Sequence, residues 1–383
     1  MPSSSQTSVG RDVRIDVLRA VAALAVLLFH AQNAWYLGVG GELAPGERLR
    51  LRDTWLGLAS SPLTLGFLGL NLFFVLSGLC IHASYLALRE RGGAFSYGAY
   101  AKRRFWRIYP AYAAAIAFSL GCLALAEWIR VERYGAVELS VYAARWVEQT
   151  LRYLSFTHTL SIETFGGYNA PLYTMAIEAH FYLAYPAVLA AFRAFGPART
   201  LALSILASLA LSAWVLAGGD AAAQRLVLDS ILVRWPEWIM GCVIAEFWFR
   251  ARRGEPVRVF GPGVGIAVAA CFIAALAIQV ATGIAPNLLW SAAIALIVST
   301  YLLAASARPT GWEHRLAAIG LFSYSIYLLH YPVLRVAALL LPPTRDALAL
   351  NALAYGAIAA LLVVLARGFF TLFERPFLQP RAR

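Results

Sequence analysis

The sequence predicts an all-α protein: a polytopic membrane helix bundle with about ten transmembrane helices and both termini cytosolic. Three observations carry that prediction. Of 383 residues, 61% are hydrophobic and only 14% charged, against the roughly one quarter charged that soluble domains carry. The apolar residues gather into runs close to the ~20 residues a helix needs to cross the hydrocarbon core. The basic residues gather between those runs, on alternate connections, as membrane orientation by positive charge requires.

Residues 1–13 are polar and read as a cytosolic tail. No A-x-A-like cleavage site follows the first apolar run, so it reads as a retained helix rather than a removed leader. That first span, near 16–37, opens with Arg14, Asp16 and Arg19 and carries His30 near its far end. The second, near 63–88, contains Asn71, and the third, near 108–129, follows the basic stretch AKRRFWRIYPAY at 101–112. The long connection 130–171 is external, and within it VYAARWVEQTLRYL is an amphipathic segment suited to lying in the membrane interface. The fourth span, near 172–194, carries Glu178, and the fifth covers 199–217. The sixth, near 226–249, places Arg234 and Glu237 around Pro236 as an intramembrane ion pair. Spans near 263–281 and 287–307 carry no charged residue. The ninth, 316–341, holds Tyr327 and His330, and the tenth covers 348–373. An even number of spans puts both termini on one side. With that side cytosolic, 21 Lys and Arg lie inside and nine outside, with Arg234 and Arg335 left within spans. No repeat relates the halves and no soluble domain is appended, so 1–383 reads as a single membrane domain.

The same numbers exclude other classes. The excess of 32 Lys and Arg over 20 Asp and Glu is not gathered on one folded face, so nucleic acid is not an expected partner. Cys80, Cys122, Cys242 and Cys271 sit singly in apolar runs, which fits buried thiols rather than disulfides or zinc. No metal is implied.

Ionisable groups are costly in a bilayer and mark candidate functional sites. Arg19 and His30 are eleven residues apart, close to three helical turns, so they share a face with His30 about 16 Å further outward. Asp16 is one turn before Arg19 and can pair with it. At 1.5 Å per residue, His30 and His330 each lie about 21 Å from the cytosolic start of their spans. Glu178, running the other way, and Asn71 come out near the same level. Histidine and glutamate there suit proton transfer, while depth alone leaves lateral closeness open. Arg104 and Arg107, at i and i+3, could form a joint anion site or meet anionic lipid heads; spacing does not separate the two.

These segments, in this order, resemble the acyltransferase-3 family of integral membrane O-acyltransferases, which includes O-antigen and exopolysaccharide acetylases. The matching stretches are RIDVLRAVAALAVLLFH, LNLFFVLSGLCI, AKRRFWRIYPAY, GGYNAPLYTMAIEAHFYLAYP, VRWPEWIMGCVIA, LFSYSIYLLHYPV and FERPF. The resemblance implies transfer of an acyl group, usually acetyl from acetyl-CoA, to a hydroxyl of a cell-envelope or exported glycan at the inner membrane. It makes His30 the essential histidine and Arg19 its partner motif residue. Arg104, Trp106 and Arg107 become the acyl-CoA-associated group, Gly166 and Gly167 the external glycine pair, and Glu178 the acidic residue of the fourth span. Asn71 stands where the family often has Asp, Tyr173 where it has Trp, and Ala179 and His180 where it has Glu and Gln.

On this reading His30 is a general base on the acceptor hydroxyl or carries the acyl group itself, with Glu178 as its support. Asn71 or Tyr327 would stabilise the oxyanion, with His330 nearby. The partners are acyl-CoA, a glycan or lipid-linked glycan, and the bilayer. The alternative is a proton-coupled transporter or flippase using His30, Glu178 and His330 as a relay, but the internal repeats and broken spans usual in such proteins are not evident.

Overall fold

The computed structural model describes residues 12–37, 61–134, 139–257, 262–282, 286–303, 308–342 and 347–378; the tail expected at 1–13 falls almost wholly outside them. Among the described residues all regular structure is helical. In chain order the helices are α1 (Val13–Leu37), α2 (Leu68–Glu90, entered through a 3-10 turn Ser61–Phe67), α3 (Tyr97–Tyr134) and α4 (Leu139–Leu154). A 3-10 turn, Ala170–Leu172, leads into α5 (Tyr173–Phe195), followed by α6 (Pro197–Ala217), α7 (Ala221–Leu228) and α8 (Ile231–Arg252). Then come α9 (Pro262–Thr282), α10 (Asn287–Leu303), α11 (Gly311–Gly320), α12 (Ser323–Leu340) and α13 (Leu348–Phe369). A π turn, Phe370–Glu374, separates α13 from α14 (Arg375–Leu378).

Eight of the ten expected spans each fall mainly on one helix, while the one near 226–249 is divided between α7 and α8 and the one near 316–341 between α11 and α12. Six helical segments are long and apolar enough to cross a membrane, or seven if α11 and α12, bent by 60°, count together. The chain is thus a multi-pass helical membrane protein. Its lipid-type surface is visible on α6 and α9: Leu203, Leu206 and Leu209 on one, Ile266, Ile273 and Val280 on the other, are all more than half exposed. Such faces are unfavourable in water and suited to lipid.

The chain divides into two compact units. The first comprises Met1–Val21, Leu70–Ala101 and Ile177–Leu321; the second comprises Ala22–Gly69, Lys102–Ala176 and Phe322–Arg383.

In the first unit, α2 and α8 cross where each presents a glycine. A Cβ on Gly78 would lie 1.9 Å from the Trp238 carbonyl oxygen, and one on Gly241 would lie 2.0 Å from that of Val75. Small residues permit this backbone approach, which drives helix association where lipid supplies no hydrophobic gain. Beside the crossing, Trp238 stacks on Phe181 at 5.5 Å, and the Phe74 ring meets Phe181 edge-on.

In the second unit, α4 is the amphipathic segment read from 141–154. Its Gln149 and Tyr153 turn inward while Val147 and Leu151 are 61% exposed. Tyr112 of α3 donates to the Tyr153 carbonyl at 3.0 Å and stacks on Phe156, fastening α4 and the turn after it to α3.

Candidate active site

Two histidines meet inside the second unit. His30 lies on α1 and His330 on α12, with ring centroids 4.9 Å apart. His30 Nδ1 is 2.9 Å from the Val26 carbonyl, one turn back on its own helix, and His330 Nδ1 is 2.6 Å from that of Tyr327. A carbonyl oxygen only accepts, so each Nδ1 carries the proton. In the neutral rings this leaves a lone pair on each Nε2. His330 is fully buried and its Nε2 has no hydrogen-bond partner among the described residues. His30 is half-buried, and the Tyr331 ring stands edge-on to it at 5.8 Å. The pair therefore presents basic nitrogen with unused capacity, on two helices whose own backbones fix the tautomer.

The loop before α5 supports α12. Pro332 has no N–H to give the Leu328 carbonyl four residues earlier. Asn169, fully buried, fills that place: its Nδ2 donates to Leu328 O at 3.2 Å and to Ser119 Oγ at 2.9 Å. Asn169 is delivered by Gly166 and Gly167, both at positive φ (89° and 38°). A Cβ on Gly167 would lie 1.7 Å from Gln149 Nε2, so only glycine fits. Tyr153 Oη donates toward the Gly166 and Asn169 carbonyls at 3.0 and 3.1 Å, and burial pushes that phenol above its ordinary range. The glycine pair thus shapes the loop. Tyr327 donates to Pro171 O at 2.7 Å and meets Thr174 Oγ1 at 2.6 Å, so its hydroxyl holds the turn before α5.

The basic cluster is also in this unit. Lys102 and Arg103 are exposed, Arg104 and Arg107 half-buried, and Trp106 is 42% exposed. Arg107 Nη1 is 3.2 Å from Glu374 Oε1, and Trp106 lies parallel to Phe377 at 5.9 Å. Four cations and an accessible indole thus lie within residues 102–107 of α3.

Glu178 and Arg19 belong to the first unit. Ser77 donates to Glu178 Oε1 at 3.0 Å, Tyr182 donates to the same oxygen, and Trp238 Nε1 donates to Ser77 at 3.1 Å. Arg19 pairs with Asp16 at 3.0 Å, as its spacing predicts, and reaches Cys80 Sγ at 3.3 Å. Ser77 and Cys80 are one turn apart, so Arg19 and Glu178 address one stretch of α2.

Asn71 has different company. Its Nδ2 donates to Ser291 Oγ at 2.9 Å and Glu237 Oε2 at 3.3 Å, while Glu237 Oε1 holds Arg234 Nε at 3.0 Å. Asn71 thus joins the predicted Arg234–Glu237 pair. Another buried array was not foreseen: His82 bridges Tyr185 Oη at 3.0 Å and Glu246 Oε1 at 2.8 Å. Sequence reasoning also passed over Ser77, Asn169 and Glu374. Each stands inside one of the motif stretches, Asn169 two residues after Gly167, and Glu374 is the acidic residue of FERPF.

Together these features define a helical membrane protein with an imidazole base held inside its bundle. The chain belongs to the acyltransferase-3 family: the family profile, described as "Acyltransferase domain", matches residues 12–369. It is 24% identical over 355 residues to the peptidoglycan O-acetyltransferase OatA of Listeria monocytogenes, covering 86% of this chain and 50% of that protein. It is 22% identical over 339 residues to the O-acetyltransferase OatA of Staphylococcus aureus, covering 84% and 50%. Nodulation protein 10 of Rhizobium leguminosarum is 27% identical over 225 residues, 57% of this chain and 54% of that one. The chain spans about half the length of these curated relatives. No solved structure matches it.

Proposed function

We propose that this chain is an O-acyltransferase of the inner membrane, moving acetyl from cytosolic acetyl-CoA to a hydroxyl of a cell-envelope glycan. The observation that carries the reading is the His30–His330 pair, with both Nδ1 protons given to backbone carbonyls and the buried His330 Nε2 without a hydrogen-bond partner among the described residues. Family membership and the relatives named as O-acetyltransferases support the reaction class.

The proposed topology has ten spans with the termini and the basic cluster in the cytosol, and both units forming one domain. The acyl donor would bring a thioester carbonyl and anionic phosphates. Arg104 and Arg107 would hold the phosphates through bidentate guanidinium contacts, and Trp106 would contact the planar base. Arg19 is proposed as a further donor-side residue.

His30 Nε2 accepts the acceptor's hydroxyl proton as the oxygen attacks the thioester carbon. The C–S bond then breaks, and the imidazolium returns its proton to the leaving thiolate. His330 is placed to share the charge developing on His30, which an unpartnered imidazole in a dry site can do at little reorganisation. Gly166, Gly167 and Asn169 keep α12, and so His330, in register. Glu178 is proposed as a residue required for turnover, tested by Glu178→Gln. The test of the function as a whole is supply of radiolabelled acetyl-CoA and envelope glycan to membranes containing the full chain. Label on glycan hydroxyls with stoichiometric CoA release supports the reading, and neither product appearing overturns it.

A further inference from the structure

We infer that Glu374 is a positioning residue for the acyl donor: a buried carboxylate that aims Arg107 at the donor's anionic groups. The inference deepens the function proposed above and rests on the basic cluster being the donor site.

Four observations converge on it, all within the second unit. The Glu374 side chain is fully buried while Arg107 is one-third exposed, so the ion pair has a dry, fixed end and an accessible end. Its other oxygen is fixed by a hydrogen bond, Ser325 Oγ donating to Oε2 at 2.7 Å, whereas Oε1 meets Arg107 as an ion pair at 3.2 Å without hydrogen-bond geometry. The carboxylate occurs on the π turn Phe370–Glu374. Such a turn inserts a residue into the helical count and occurs frequently at functional sites. A second tie runs beside the first: Trp106, the residue before Arg107, lies parallel to Phe377, three residues after Glu374.

A buried carboxylate facing a cluster of cations lowers the net positive charge there, which by itself weakens anion binding. The gain is geometric. Arg107 has five N–H donors in a rigid plane; Glu374 meets Nη1, and the Arg107 side chain is one-third exposed. An arginine held this way loses less rotamer freedom when it binds, and pre-organisation of that kind raises affinity. Ser325 stands on α12 five residues before His330, so the same helix carries the carboxylate's support and one of the paired imidazoles.

The test is acetyl-CoA saturation kinetics on membranes containing the full chain, with Arg107→Ala, Glu374→Ala, Glu374→Gln, Ser325→Ala and the Arg107→Ala/Glu374→Ala double variant. Losing one charge-assisted contact should raise KM ~10-fold in each single alanine variant at 107 and 374, with kcat within ~2-fold. Glu374→Gln, which keeps an oxygen for Arg107, should recover most of that loss. The double variant should be no worse than Arg107→Ala. Should Arg107→Ala raise KM while Glu374→Ala and Glu374→Gln do not, or should the two effects multiply, positioning is refuted and the donor site stands. If Arg107→Ala leaves KM unchanged, the donor-site reading fails with it. Where Glu374→Ala does not accumulate, the Gln and Ser325 variants decide, since a purely structural carboxylate would lower protein level without moving KM.

Discussion

Two polar clusters lie within helices of this membrane protein, and they differ in what they leave unused. Around Arg234 and Glu237 almost every group has a partner. Glu237 takes the Arg234 guanidinium on one oxygen and Asn71 and Ser291 on the other. Arg234, although its Nη2 makes no hydrogen bond among the described residues, lies over the Phe74 ring at 5.1 Å. Around His30 and His330 the backbone takes one nitrogen of each ring, and the other nitrogen of His330 has no hydrogen-bond partner among the described residues. The first cluster resembles a closed structural network and the second an open site. Ionisable residues in a span are candidates by default, and spare hydrogen-bonding capacity is what separates the two kinds.

Substitutions can break that comparison or sharpen it. The largest effect is expected at the open cluster. His30→Gln should reduce acyl transfer by about 10³-fold, within the usual range for losing a general base, with protein level and thermal stability in detergent near wild type. The closed cluster should respond in the opposite sense. Glu237→Ala strands Arg234 and should cost about 3–5 kcal/mol of stability, read as a lowered melting temperature, while turnover per folded molecule holds. The loop is next. Gly167→Ala puts a methyl 1.7 Å from Gln149 Nε2 at a φ of 38° and should cost about 1–3 kcal/mol. Limited proteolysis within 155–169 would report it. Asn71→Ala removes a neutral donor from the closed network and should lose about 1–2 kcal/mol in the same melting assay. Breaking the exposed pair Glu148–Arg152 on α4 should change stability by less than ~0.5 kcal/mol. A larger change would mean that α4 depends on its surface charges more than on Gln149 and Tyr153.

Much of this was legible in the sequence because it is local. Helices stand where the apolar runs are, and Asp16 with Arg19, like Arg234 with Glu237, pair at the i,i+3 spacing that places them on one face. His30 and His330 shared a depth by counting residues along their helices, and the structure brings their rings together. What was hidden is long-range. Asn71 shared the calculated depth of the histidines, yet its partners are 166 and 220 positions away, in the Glu237 network. Depth fixes height and says nothing of direction around a helix. Asn169 owes its role to the carbonyl that Pro332 leaves open, which needs both positions folded to be seen. Glu374 depends on a π turn, and no periodicity in FERPF announces one.

The His82–Glu246–Tyr185 array sharpens the same lesson from the structural side. It holds a carboxylate, an imidazole and a hydroxyl in line, as catalytic groups often are. Yet both His82 nitrogens are engaged and the ring is packed among Tyr85, Tyr185 and Phe192. By the criterion of spare capacity it belongs with Arg234 and Glu237.

The most direct measurement is acetyl transfer per folded molecule for His30→Gln and Glu237→Ala, assayed side by side on membranes normalised by folded-protein level. The account predicts turnover near zero for the first at normal stability, and near-normal turnover for whatever fraction of the second folds. Substantial transfer by His30→Gln, or loss of turnover in well-folded Glu237→Ala, would contradict it.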